Sequence, residues 1–180
     1  MKVRFPVDFW WGGATSGPQN EGRFHKPHVN VFDYHYDTKP EDFFRYVGPD
    51  VASDFYHLYE SDIALFKDLG FNSLRTSIQW TRLIDDLEEG SLNLEGVAYY
   101  NRVIDALLAA GIRPIINLHH FDLPIELYER YGGWESKHVV ELFVKFARRA
   151  FECFGDRVTD WMTFNEPMVV VEGQYLYGFH

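Results

Sequence analysis

Cysteine is nearly absent. Cys153 is the one cysteine in 180 residues, so no disulfide can close within one chain, and a reducing compartment is the natural setting. Cys153 itself reads as a core side chain. Positive charge is also scarce: 17 Lys and Arg stand against 27 Asp and Glu, a net charge of −10. That balance argues against a phosphate backbone or an anionic membrane surface as partner. No stretch approaches the roughly eighteen apolar residues a membrane helix needs, and Pro6 and Asp8 interrupt the run behind Lys2 and Arg4 that a signal peptide would require. The expectation is a cytoplasmic protein with no nucleic-acid and no membrane partner. No Gly-x-Gly-x-x-Gly or Walker-type loop follows any candidate strand, and no cofactor is expected.

What is present is ample apolar material, 46% hydrophobic and 18% aromatic, enough for one core and one domain over residues 1–180. Residues 3–15 alternate polar and apolar before Gly12-Gly13-Ala14 and read as a first strand. A polar, proline-punctuated stretch at about 22–49 has no period and reads as a long surface loop, a kind of segment that tends to be functional in a compact domain. From Ser53, a plausible N-cap, Leu58, Ile63, Phe66 and Leu69 recur at helical spacing until Gly70, and a strand over Phe71–Ile78 follows. The pattern returns twice. A helix in VAYYNRVIDALLAAG closes at Gly111 before a strand over Ile112–His119, and a helix from Ser136 closes at Gly155 before a strand over Arg157–Glu166.

Helices alternating with short apolar strands demand a parallel sheet covered by helices, because a parallel connection needs a crossover. A doubly wound sheet and a (β/α)8 barrel both satisfy this. The barrel is favoured by where the polar residues fall: Arg75 lies in the second strand, His119 and His120 end the third, and Asn165 and Glu166 end the fourth. A (β/α)8 TIM barrel takes about 250 residues, so four β/α units form the N-terminal half of one. Its exposed sheet edges could let copies self-associate as a homo-oligomer.

Chemistry concentrates in Asp160-Trp161-Met162-Thr163-Phe164-Asn165-Glu166-Pro167, an apolar run delivering a carboxylate to a sheet edge, where Pro167 ends the ladder. Glu166 is the catalytic candidate; the plainer alternative is a strand-end Glu facing water. Gln19 could be a turn residue, and Arg75 a structural ion-pair partner. His119-His120-x-Asp122 could ligate a metal, but neighbours on a strand face opposite ways, so no metal is expected. Trp10, Trp11, Trp80, Phe121 and Trp134 could form a sugar platform or pack in the core. Asp85-Asp86-Leu87-Glu88-Glu89 reads as a solvated loop. Asp122 reads as a turn cap, and Glu21 as a residue ordering its own loop.

FWWGGATSGPQNEG, SLRTSIQWTRL, LHHFDLP, YGGWESK and TFNEP, in this order and spacing, resemble the N-terminal half of a family 1 β-glycosidase, the group that includes β-glucosidases and 6-phospho-β-glucosidases. The resemblance covers essentially the whole chain. It implies a retaining hydrolase acting on a β-glycoside or phospho-β-glycoside. Glu166 would be the acid/base, Gln19 and His120 would bind the sugar, Asn165 would contact its 2-hydroxyl, and Arg75 would support the site beside the nucleophile. Two positions depart from the family's habit: Phe121 replaces its Trp and Pro18 its Tyr. Ser16-Gly17-Pro18 and His-His-Phe lean towards the 6-phospho branch. The family's nucleophile lies late in the barrel, beyond residue 180, so these residues alone are expected to turn over little or nothing. A non-catalytic half-barrel that binds sugar or self-associates is the alternative; an endo-glycanase on a related barrel should lack the Gln19 motif.

Overall fold

The computed structural model describes residues 3–176; Lys2 and the closing Tyr177-Gly178-Phe179-His180 lie outside that range. Four strands make the central sheet: β1 (Gly12–Ala14), β2 (Ser73–Ser77), β3 (Arg113–His119) and β4 (Asp160–Phe164), side by side in that order. Every pairing is parallel, with Ala14 beside Arg75, Arg75 beside Ile115, and Ile115 beside Asp160. All four C-terminal ends therefore open on one rim, as the (β/α)8 reading requires.

The longer helices are α1 (Val31–Thr38), α2 (Phe55–Asp68), α3 (Leu94–Ala109), α4 (Ile125–Tyr131) and α5 (Lys137–Phe154). In α5 the buried residues Val139, Leu142, Phe143, Phe146, Ala150 and Phe154 recur at three- and four-residue steps, a stripe that seats the helix on the sheet. Each large side chain there contributes roughly 1.5–3 kcal/mol on burial. Tyr99, Tyr100, Val103, Ile104 and Leu107 do the same for α3. Gly70 and Gly111 leave their helices with φ +83° and +75°, the left-handed turn that favours glycine. Gly155 does not: its φ is −69°.

The first strand is shorter than its sequence pattern suggested. Pro6 has no N–H to give a ladder; the chain turns there, with Phe9 N–H donating to Pro6 O at 3.2 Å. The rings of Phe5, Phe9 and Trp11 gather at 4.6–4.7 Å instead of alternating across a sheet. The expected loop at 22–49 contains α1. That helix has no apolar stripe to betray it, because it is held by a reciprocal cap between Asn30 and Asp33 and by a buried Lys26–Asp33 ion pair. Asp54, not Ser53, stands at the N-cap position of α2, without a side-chain capping bond, and the inward stripe runs through Tyr56, Tyr59, Ile63 and Phe66. Leu58 and Leu69 lie off it, 47% and 73% exposed.

The acidic run is solvated as expected at Asp85, Asp86 and Glu89, but it is ordered. It turns a short antiparallel hairpin, Ile84–Asp86 with Ser91–Leu92, in which Asp86 accepts the N–H groups of Glu88 and Glu89 at 2.9 Å. The Glu88 carboxylate then binds Tyr131 and His138, each at 2.8 Å, tying the hairpin to α4 and α5.

Candidate active site

Gln19 sits in a single helical turn, Gly17–Asn20, just past β1. The Ser16 hydroxyl donates to Gln19 Oε1 at 2.9 Å, which turns the amide NH2 into the group available to a ligand. His120 follows β3 directly. Its backbone N–H donates to Asp122 Oδ1 at 2.8 Å, and Asn117 Nδ2 makes a long 3.5 Å contact to its Nδ1. Donation from Asn117 to Nδ1 selects the tautomer with hydrogen on Nε2, so His120 presents a donor. Burial, then the Arg75 charge, push its pKa down to about 4. It is a neutral imidazole near pH 7.

Arg75, half-buried on β2, donates through Nη2 to Asn165 Oδ1. Burial lowers its pKa and the charge of Glu166 opposes that shift. Asn165 is fixed from the other side by its N–H donating to His119 O at 2.9 Å. Glu166 is exposed and has φ +44°; Phe121, beside His120, has φ +65°. Left-handed backbone at non-glycine residues costs on the order of 1–3 kcal/mol and gathers at sites where geometry matters more than local comfort.

Gln19 and His120 line one cleft of about 400 Å³, together with Ser16, Pro18 and Phe121. Asn165 and Glu166 do not line it; they stand with Arg75. Arg75 joins the two groups, since its charge acts on His120 and responds to Glu166. Such a rim offers neutral donors to hydroxyl groups and, next to them, a solvent-accessible carboxyl beside a cation.

Other carboxylates are already engaged. Asp122 is fully buried and accepts from the backbone of His120 and Trp80, although burial raises its pKa to about 6. Glu21 Oε2 accepts from Arg82, Gln79 and Tyr100 at 2.8, 2.8 and 3.1 Å. The turn-cap and loop-ordering readings of these two agree with that geometry. The Glu21–Gln79–Arg82 network escaped sequence reasoning, because Glu21 lies about sixty positions from both of its partners. The rings of His119 and His120 diverge: His119 packs against Trp134, Phe143 and Phe164, while His120 contacts Phe121.

The sequence model of Glycosyl hydrolase family 1 matches residues 1–180. The chain belongs to glycosyl hydrolase family 1. It is 47% identical over 181 residues to the 6-phospho-beta-glucosidase GmuD of Bacillus subtilis (strain 168), a match that takes in 99% of this chain and 38% of that protein. Beta-glucosidase 26 of Oryza sativa subsp. japonica is 42% identical over 178 residues, 98% of this chain and 34% of that protein. Among solved structures, aphid myrosinase superposes with a TM-score of 0.91 at 38% identity, over 97% of this chain and 38% of its own. The chain thus spans little more than a third of these relatives and matches the N-terminal part of the family 1 barrel.

Of the aromatics considered for a sugar platform, Phe121 alone lines the cleft. Trp80 is buried and stacked on Phe146 at 5.3 Å. Trp134 packs between Phe143 and Phe164. Trp10 and Trp11 precede β1, on the opposite rim, where Arg113 at the start of β3 lies 4.6 Å over the Trp10 ring.

Proposed function

We propose that this chain carries the sugar-binding and proton-donating part of a retaining β-glycosidase site acting on β-glucosides or 6-phospho-β-glucosides. Gln19 and His120 donate hydrogen bonds to ring hydroxyls, and Asn165 contacts the sugar beside the bond to be cleaved. Glu166 gives its proton to the leaving oxygen, then takes one from water in the second step. A second carboxylate attacks the anomeric carbon; retaining enzymes hold the two about 5–5.5 Å apart. We place that nucleophile outside these residues, since Glu21 and Asp122 are buried in other bonds and Glu172 lies only six positions from Glu166.

The observation that carries the reading is the Arg75 bridge. One guanidinium on β2 donates to Asn165 at the end of β4, whose N–H donates to His119 O at the end of β3 at 2.9 Å, so residues from β2, β3 and β4 converge on one rim. Identity of 47% to a 6-phospho-beta-glucosidase, as its name describes it, supports the phosphorylated branch. The test is to assay the purified chain on chromogenic β-glucosides with and without a 6-phosphate, alone and as part of a full-length family 1 chain. Robust turnover by the 180 residues alone would remove the two-part assignment, and a full-length chain inert on both substrates would remove the hydrolase.

A self-associating, non-catalytic half-barrel is the second reading. It draws on the outer edge of β4, where Met162 and Thr163 are exposed beside the sheet. Dimer mass with saturable glycoside binding and no turnover would favour it.

A further inference from the structure

The cleft beside Gln19 and His120 is larger and more apolar than two hydrogen-bonding side chains require. Beyond them its walls are Phe32, Phe43, Val47, Pro18 and Phe121. Its volume of about 400 Å³ lies in the range of small-molecule sites, about 300–1,000 Å³. The walls are braced. Phe43 meets the Tyr36 ring edge-on at 5.1 Å, Tyr36 donates to Tyr46 O at 2.8 Å, and Phe32 meets Phe121 edge-on at 6.3 Å. Arg23 holds the segment from both ends, donating to both oxygens of Asp37 at 2.8 and 2.9 Å and also to Asp50.

Two features define what could fill it. Among the described residues no Lys or Arg lines the cleft, so an anion such as a sugar phosphate would be desolvated there without a counter-charge from them. Glu166 and Asn165 do not line it either, so, with Glu166 read as the proton donor, a group seated there is not the leaving group. We propose that this cleft is a subsite for a flat, apolar substituent, such as an aromatic acyl group, carried on a ring hydroxyl remote from the anomeric carbon. The assignment rests on the reading of Gln19 and His120 as sugar ligands. It uses the two departures noted in the sequence, Pro18 and Phe121, as walls.

The test measures binding, not turnover, on the 180-residue chain by titration calorimetry. The probes are methyl β-D-glucoside, three of its mono-benzoyl esters, those at O3, O4 and O6, and phenyl β-D-glucoside. At least one ester should bind on the order of tenfold more tightly than the parent glycoside. Phe43→Ala should cancel that gain and leave the parent's affinity unchanged, with an unaltered circular dichroism spectrum showing that the variant folds. Phe43→Leu should restore part of the gain. No gain for any ester, a gain that survives Phe43→Ala, or a Phe43-dependent gain for phenyl β-D-glucoside instead would each overturn the assignment. A chain that binds an ester in this way yet never hydrolyses a glycoside, even at full length, would sink the hydrolase reading and keep the subsite.

Discussion

Arg82 Nε donates to Glu21 Oε2 at 2.8 Å, and the two side chains are only 1% and 3% exposed. The guanidinium also donates to the carbonyls of Gly22 and Phe24 and lies 4.6 Å over the Tyr56 ring. It thus ties the chain after β1 to the segment after β2. A buried pair of this kind contributes little net stability while intact, but removing one partner strands the other charge. Arg82→Met should lower unfolding free energy by about 3–5 kcal/mol. Urea denaturation followed by tryptophan fluorescence measures it, and a loss under about 1 kcal/mol would mean that Glu21 finds water.

The same pair marks the limit of what the sequence reveals. The repeated helix-to-strand units, their parallel pairing and the C-terminal rim were legible because apolar periodicity and closing glycines are local signals. α1 was not, since its stability comes from the Asn30–Asp33 cap and the buried Lys26 rather than from a stripe. Of the site residues, Gln19 and His120 meet in one cleft and Asn165 meets Arg75 across ninety positions. The resemblance had assigned Gln19 and His120 to one sugar, but nothing had paired Asn165 with Arg75. The Glu21–Gln79–Arg82 network was not read from the sequence, and Phe32, Phe43 and Val47 of the cleft wall lay in the 22–49 stretch read as a long loop without a period.

Glu166→Gln in a full-length chain should lower the rate by on the order of 10²- to 10⁴-fold. The loss should be greatest for poor leaving groups, because a good one departs without a proton. Comparing methyl and 2,4-dinitrophenyl glycosides measures this. Equal losses on the two would mean that Glu166 is not the proton donor.

Arg75 has a readout on this chain that needs no turnover. Its charge is the second cause, after burial, of the His120 pKa near 4. Arg75→Met should therefore raise the His120 pKa part of the way back towards about 6.5, while the buried fraction of the shift remains. The imidazole proton signals report this by NMR titration. An unchanged value would place Arg75 too far away to hold the two halves of the rim together.

His119 should make the fold sensitive to acid. Its ring is fully buried against Trp134, Phe143 and Phe164, neither nitrogen has a hydrogen-bond partner among the described residues although Asp122 Oδ1 lies 3.7 Å from Nδ1, and burial pushes its pKa down to about 3. An unfolded imidazole takes a proton near pH 6.5, so between about 6.5 and 3 the unfolded chain binds more protons and stability falls as pH falls. His120, at about 4, adds to this in the upper part of that window. Asp122, raised to about 6, acts in the opposite sense, because its folded form takes up a proton before its unfolded form does. Two histidines against one carboxyl leave a net loss between pH 6.5 and 4.5. His119→Phe keeps a ring in the aromatic cage and removes the titrating group, so it should flatten the acid slope at little cost near pH 7. Urea midpoints at pH 7.0, 5.5 and 4.5 for both chains measure the difference, and parallel slopes would show that His119 takes up its proton in the folded state as readily as in the unfolded one.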